Sequence, residues 1–415
     1  MSAALAVLDI CVFASLTGVI LIGLGYLSLP MLFFFQRRRS PNPVCPPDAQ
    51  LPRVLVQLAV FNEPVVVSGL LESVAALDWP KDRLHIQLLD DSFDETTRIA
   101  ADVIARLRGQ GVLIEHLHRT NRAGFKAGAL AAGMAVNDAP FIAILDADFR
   151  PPADWLRRVM GCFFADPRAG FVQSRFEFSN WNVNALTRMQ GLLSDAHFVM
   201  EQDVRARAGL LFQFNGTGGV LRREAVLASG GWSDDSLAED LDLVVRMEIA
   251  GWHGVFVMQP PVAALVPERI RDWRVQQRRW ASGFAQVARK LLAAIAHADW
   301  NAPKKISAIF LILYQGAFAL VTVLVVGLLL EWVARGGLPV FAEFLGGIVL
   351  VLCAAVAIGM TLPPYLVLKR GGLARYVGIV LTMPPLLLYL SLANTMPMIA
   401  AFFGRRESFK RTPKA

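Results

Sequence analysis

Phe141-Ile142-Ala143-Ile144-Leu145-Asp146-Ala147-Asp148 is the stretch from which the fold is read. Its apolar run is too short for a helix and reads as a buried strand, closed by two carboxylates at i and i+2. Working outward, Val54–Val60, Leu84–Leu89 and Val112–His116 repeat the apolar run. The stretches between them, such as Pro64–Ala76 and Glu95–Arg108, are helical. Strands alternating with helices predict an α/β domain with a parallel, doubly wound sheet. Ligands of such sheets bind at the carboxyl ends of the strands.

The whole chain has a different character. Of 415 residues 55% are hydrophobic and only 18% charged, with a net charge of +7. A soluble core of this size does not need so much apolar residue, so a disordered chain, a disulfide-rich module and an ordinary cytosolic enzyme are excluded. Cys11, Cys45, Cys162 and Cys353 have no zinc or disulfide spacing. The surplus lies at the ends, in the runs Ile10–Phe35, Ile306–Leu330, Phe344–Leu368 and Tyr376–Phe403, each long enough to span a membrane. Arg37-Arg38-Arg39, Lys304-Lys305, Lys369-Arg370 and Arg405-Arg406 edge them, and basic flanks face the cytoplasm.

The expected layout is an anchor at 1–35, a cytoplasmic domain at 36–305, a transmembrane region of three to four spans at 306–404, and a basic tail at 405–415. The chain is therefore expected to be a multi-pass protein in contact with membrane lipids, of the bacterial inner membrane type. Four single spans would leave the tail on the outer side, against the charge rule. Pro384-Pro385 and Pro397 allow a broken hairpin instead, or a short span followed by an interfacial helix.

Inside the domain, His85–Leu89 runs into Asp90-Asp91-Ser92, as Phe141–Leu145 runs into Asp146-Ala147-Asp148. Paired carboxylates past a buried strand suit a divalent cation that neutralises nucleotide phosphates; turn and cap roles for Asp are the plain alternative. Glu239-Asp240 opens a helix, where the helix dipole alone favours acids and where Asp240 can serve as a general base. In Gln276-Gln277-Arg278-Arg279-Trp280, Arg279 suits developing phosphate charge and Trp280 the face of a hexose. The same segment is also an amphipathic basic helix with an interfacial Trp. Phe284, Val287, Leu291 and Ile295 continue it as a stripe suited to a helix lying on the membrane surface.

Asp90-Asp91-Ser92, Asp146-Ala147-Asp148, Glu239-Asp240 and Gln276-x-x-Arg279-Trp280, in this order, resemble the membrane-embedded family 2 glycosyltransferases, which include cellulose, hyaluronan and chitin synthases. Phe214-Asn215-Gly216-Thr217-Gly218-Gly219, the doubled Gln before Arg278, and Phe409-Lys410-Arg411-Thr412-Pro413-Lys414 look like the plant cellulose-synthase-like mannan and glucan synthases. The resemblance implies a GT-A-type catalytic domain inserted between transmembrane helices. It implies that Phe61, Asn62, Glu63 and Asp91 hold the nucleoside, with Asp90 supporting their loop and Lys126 approaching the nucleotide. Asp146 and Asp148 would bind the sugar nucleotide and Mg2+ or Mn2+. Asn215, Gly216 and Thr217 would border the acceptor. Of the pair Glu239 and Asp240, Asp240 would deprotonate its hydroxyl. Gln276, Arg279 and Trp280 would hold the diphosphate and the acceptor end. Met189-Gln190 would face the acceptor side. Ala238 stands where that family usually has Thr, and no Phe-x-Val-Thr-x-Lys gating segment follows Trp280.

Two acceptors fit this reading. One is a growing β-glucan or β-mannan made from UDP-glucose or GDP-mannose; the other is diacylglycerol or ceramide, yielding a glycolipid. Few spans for a polymer channel favour the lipid unless the protein forms a homo-oligomer. A scaffold or transporter would leave the central motifs unexplained, and the basic and aromatic residues do not interleave as in a nucleic-acid binder. His116, His118, His197 and His253 show no metal spacing and are expected to pack or lie on the surface.

Overall fold

The computed structural model describes residues 2–36 and 44–405. Arg37–Arg39, Arg406 and the remainder of the basic tail lie outside the described residues. The chain opens with the apolar helix α1 (Ser2–Phe35) and continues through β1 (Val54–Val60), α2 (Val67–Ala75), β2 (Leu84–Asp90), α3 (Thr96–Gly109), β3 (Ile114–His118), α4 (Phe125–Ala135), β4 (Phe141–Asp146), α5 (Trp155–Ala165) and β5 (Ala169–Phe178). Next come α6 (Ala185–Ala196), a π-helical turn (His197–Asp203), α7 (Val204–Arg207), β6 (Gly219–Arg222), α8 (Arg223–Ala228), α9 (Glu239–Ile249), β7 (His253–Ala264) and α10 (Ile270–His297).

The strands form one sheet in the order β3-β2-β1-β4-β6-β5-β7. β1 to β4 pair in parallel, as do β5 and β7, whereas β6 is antiparallel to both neighbours. The α/β fold is as expected, with one reversed strand. The physical reason is local: β6 starts at the edge where β4 ends, Gly219 facing Ile144, and an antiparallel pair needs no crossover helix. β3 starts two residues later than the apolar pattern suggests. Val112 is consumed in closing α3, its amide donating to the Leu107 carbonyl at 3.1 Å, next to Gly111 at φ +81°. Val54, Val56, Leu58, Ile142 and Ile144 are fully buried between the helical layers, as strands covered on both faces must be.

The apolar end comprises α11 (Ala302–Leu313), α12 (Ala317–Arg335), α13 (Val340–Val367), α14 (Leu373–Val380) and α15 (Met383–Phe402). Four helical stretches are long and apolar enough to cross a membrane: Ala3–Phe35, Ala302–Arg335, Val340–Val367 and Leu373–Phe402. Glycines let α1 approach its neighbours closely, with Gly18 against Leu320 of α12 and Gly23 against Leu352 of α13. At one end of this trio Arg335 pairs with Asp9 at 2.7 Å. The last stretch breaks between α14 and α15, just before Pro384-Pro385. Tyr389 accepts a bond from Arg274 at 3.2 Å, Met398 and Ala401 pack on Ala281 and Ala285, and Gly404 packs on Arg289. Thus α15 runs alongside α10, with contacts from Tyr389 to Gly404.

Two readings of helix faces are corrected. α10 is one 28-residue helix, and its stripe of Phe284, Val287, Leu291 and Ile295 is buried in the domain core rather than laid on lipid. Packing against α9 and α11 covers that stripe. Met189 and Gln190 do not line an open face either. Met189 is buried with Trp273, Tyr365 and Leu390, and the Gln190 amide donates to the Pro267 carbonyl at 2.8 Å.

Arg370, just after α13, braces the domain to the apolar end. It donates to both Asp195 oxygens at 2.7 and 2.9 Å and to Glu177 at 3.0 Å, with its guanidinium 4.9 Å from the Trp181 ring. Asp195 is buried and the Arg370 side chain is only 9% exposed, and removing one member of such a pair strands the other. Arg370→Ala should therefore cost about 3–5 kcal/mol. It should be read as a lower melting temperature and a shorter half-life of the detergent-solubilised protein on heating.

Candidate active site

The parallel register sets Val60, Asp90 and Asp146 level at one sheet edge, since Val60 faces Asp90 and Ala59 faces Asp146. At that edge Asn62 adopts φ +54°, a left-handed conformation that Asn tolerates. Its amide donates to Ser92 Oγ at 2.8 Å and its side-chain oxygen accepts from Phe93 N at 2.9 Å, joining the loops after β1 and β2. Asp90 is fully buried. Burial pushes its carboxyl up, but bonds from His116 and Ser92 outweigh that and hold it at about 2. It is an ionised post inside the loop and cannot itself touch a ligand. Both Asp91 oxygens are taken by Arg119, at 2.8 and 2.7 Å. The Arg122 guanidinium lies 3.4 Å from the centre of the Phe61 ring, a cation–π stack. This end of the edge presents flat aromatic and guanidinium faces suited to a nucleoside base.

The other end is organised by Lys126, on the first turn of α4. Its ammonium donates to Asp146 Oδ1 at 2.5 Å and to the Gly216 carbonyl at 2.9 Å. Burial alone would lower it, but Asp146 and Glu239 hold it charged, above its ordinary value. Thr217 Oγ1 accepts from the Asp146 amide at 2.8 Å, which fixes the 214–218 loop on the end of β4. Asp148 is buried and accepts from the Leu265 amide at 3.0 Å. Gly216 has φ +72°, and a Cβ there would stand 2.8 Å from Asp240 Oδ2. Only glycine lets the loop pass so close to that carboxylate.

Glu239 and Asp240 open α9. The turn before them is pinned to α10, with Gln286 accepting from the Leu237 amide at 2.8 Å and Gly283 packed against Ala238. Through this contact Arg279 reaches Glu239 electrostatically, as Lys126 does. Burial raises Glu239 against those two cations. Burial and the neighbouring Glu239 push Asp240 up to about 7. A carboxylate poised there can accept a proton near neutral pH. Gln276 is half-buried on the same helix, and Trp280 keeps 42% of its surface exposed, enough for stacking.

Lys126, Asp146, Gly216, Thr217, Glu239, Asp240 and Arg279 are thus brought together. Phe61, Asn62, Asp90 and Asp91 form the neighbouring end. Several supporting residues escaped the sequence reading. Gln173 in β5 is fully buried; it accepts from the Asn215 amide at 2.9 Å and donates to the Thr217 carbonyl at 3.1 Å. His116 bonds Asp90 at 2.9 Å, and His197 bonds Glu201 at 2.9 Å. The available signal was a Gln inside an apolar strand, since a buried amide must find partners.

Asp146, Asp148, Glu239 and Asp240 outnumber Lys126 and Arg279, and their oxygens are hard donors, so the site fits a divalent cation. Among the described residues no three of His, Cys, Asp or Glu form a cage. Such a cation would complete its shell with diphosphate and water oxygens.

A family model described as "Glycosyl transferase family group 2" matches residues 141–403, more than half of the chain. The chain is similar to "Probable glucomannan 4-beta-mannosyltransferase 9" of Oryza sativa subsp. japonica, 40% identical over 253 residues, covering 60% of this chain and 48% of that one. It is likewise similar to "Glucomannan 4-beta-mannosyltransferase 2" of Arabidopsis thaliana, 39% identical over 252 residues, 60% of this chain and 47% of that one. It spans about half the length of these curated relatives. Among solved structures, a mannosyltransferase from Pyrobaculum calidifontis in complex with GDP-Man and Mn2+ superposes with a TM-score of 0.61 at 20% identity, over 93% of this chain and 98% of that one. The shared fold is the GT-A-type α/β domain with apolar helices.

Proposed function

The chain belongs to glycosyl transferase family group 2, and on that footing we propose that it transfers a hexose from a nucleotide sugar to a growing β-linked polysaccharide. GDP-mannose is the first candidate donor and UDP-glucose the second. The observation that carries this reading is one ammonium, Lys126, joining the strand-end carboxylate Asp146 to the loop that abuts Asp240. Donor phosphate chemistry and acceptor activation then lie side by side. The names of the relatives support mannose.

The geometry supports the following steps. The Phe61–Arg122 stack and the Asn62 loop hold the nucleoside. Asp146 and Asp148 would hold a divalent cation, Mg2+ or Mn2+, and its charge would neutralise the diphosphate. Arg279 pairs with the leaving diphosphate. Asp240 takes the proton of the acceptor hydroxyl as that oxygen attacks the anomeric carbon from the opposite face. Glu239 feels the charges of Lys126 and Arg279, and no carboxylate acts as nucleophile. The configuration inverts, so an α-linked donor gives a β-linked product.

We place the catalytic domain on the cytoplasmic face, because Lys304-Lys305 and Lys369-Arg370 flank the apolar stretches on its side. With α15 resting on α10, Arg405 belongs to the same face. An apolar cavity of ≈ 180 Å³ between α10 and α15, lined by Ala285, Ile312, Met398 and Phe402, favours the second reading, a lipid acceptor. Membranes given labelled GDP-mannose and UDP-glucose separate the two: polymer label stays in the water-insoluble residue, and lipid label partitions into organic solvent.

Asp240 must be ionised to act. Because its value lies at about 7, kcat/KM should fall about tenfold per pH unit below 7. An ordinary aspartate base would hold activity down to about pH 4. A pH–rate profile at fixed metal and donor concentration checks this.

A further inference from the structure

Where α14 meets the loop before α6, two cations converge on a neutral atom. Arg188, on α6, donates from Nε to Asn182 Oδ1 at 3.1 Å, and Arg375, on α14, donates from Nη2 to the same oxygen. These bonds hold the two guanidinium groups within about 6 Å of each other. Rotating the Asn182 amide would turn its NH2 toward both cations, so the oxygen is the atom that faces them. Arg375 also lies 4.7 Å from the centre of the Trp181 ring, beside Arg370 at 4.9 Å. The nearby carboxylates are spent elsewhere. Asp195 and Glu177 hold Arg370, and Glu177 also accepts from Arg175 at 3.1 Å. Among the described residues neither Arg188 nor Arg375 forms an ion pair. Asn182 is exposed and both arginines are half-buried, so the place where they meet is open to a ligand. Paired guanidinium groups without a carboxylate suit a phosphate.

The surroundings decide which phosphate. α14 follows directly on α13, which is long and apolar enough to cross a membrane. One face of α14 packs inward, with Tyr376 and Ile379 in a cluster with Tyr365 and Trp273. Leu373, Val377 and Leu381 recur at four-residue steps on the other face and keep 67%, 46% and 70% of their surface exposed. Val183, next to Asn182, is exposed as well. A short helix with an outward apolar stripe at the end of a span lies in the headgroup layer of a bilayer. A soluble phosphate would leave that stripe bare, whereas a lipid covers it with its chains. We propose that Arg188 and Arg375 bind the phosphate of an anionic phospholipid, with its acyl chains along Leu373, Val377 and Leu381. The uncompensated guanidinium charge favours a head group of net negative charge over a zwitterionic one. The site also reaches the catalytic domain. Asn184, two residues on, caps α6 and donates to the Glu268 carbonyl at 3.1 Å, just ahead of the helix that carries Arg279 and Trp280.

The test uses the full-length protein in a neutral detergent. Phosphatidylglycerol is the probe and phosphatidylcholine with the same chains is the control, with bound lipid counted by native mass spectrometry through a titration. The wild type should bind phosphatidylglycerol roughly tenfold more tightly than phosphatidylcholine. Replacing both cations, Arg188→Gln with Arg375→Gln, should remove that preference. Asn182→Asp instead places a carboxylate between the two guanidinium groups. It should weaken phosphatidylglycerol binding by roughly tenfold while the protein melts at the same or a higher temperature, and it carries the test if the double variant does not fold. Inorganic phosphate in large excess should leave the lipid bound. Equal binding of the two lipids by the wild type, or an unchanged preference in either folded variant, overturns the lipid site. Displacement by inorganic phosphate also overturns it and assigns the arginine pair to a soluble anion.

Discussion

Asp240→Asn should abolish transfer, with kcat down by about 100- to 10,000-fold, the range expected for loss of a positioned general base. Asparagine keeps the size and can still accept from the Leu241 amide, as Asp240 Oδ1 does at 2.8 Å. The turn before α9 is held by Gln286 and Gly283, not by the Asp240 side chain. Insertion, solubility in detergent and donor affinity should therefore survive. The carboxylate is also strained electrostatically, by burial first and by Glu239 next. A group whose value is raised on folding contributes least to stability at alkaline pH. The asparagine variant should thus unfold at an equal or higher temperature than the wild type at pH 8. Single-turnover transfer and thermal melting, measured on the same preparation, check both halves. Substantial transfer by the variant would remove Asp240 from the base role.

Lys126→Met should be nearly as damaging, with kcat at pH 7 down by about 100-fold, comparable to losing one preorganised charge contact in a reaction centre. The ammonium bonds Asp146 and the Gly216 carbonyl, and it lowers both Glu239 and Asp240. Methionine keeps the length but leaves the carboxylates unopposed on that side. The sign follows directly. Without the cation Asp240 holds its proton to higher pH, so the acid limb of the profile should move above 7. Part of the lost rate should then return at pH 9. A loss that is uniform across pH would mean that Lys126 positions the donor without tuning the base.

Much of the sheet was legible because its strands are buried on both faces and read as unbroken apolar runs. The Asp146-Ala147-Asp148 ending marked the end of β4 at which Lys126 and the 214–218 loop meet. The direction of β6 was not legible. Four residues carry no record of which way they pair, and only the closeness of the 214–218 loop to β4 decides it. The stripe on α10 misled for a related reason: helical periodicity reports an apolar face but not what covers it. The same holds for Met189, buried against Trp273. In the site, the acidic residues were legible one by one. The joining of Asp146, Gly216 and Asp240 through Lys126 was not, because it depends on four segments meeting across 115 positions of chain, from 126 to 240. Gln173 and His116 act through partners far away in sequence, and their residue types alone do not name those partners.

The most direct measurement is the anomeric and linkage analysis of product formed from α-linked GDP-[14C]mannose by the purified protein with Mn2+. The account predicts labelled, water-insoluble β-linked material that endo-β-mannanase degrades and α-mannosidase leaves intact, and none from Asp240→Asn. Label released by α-mannosidase, or carried wholly into organic solvent, would contradict it.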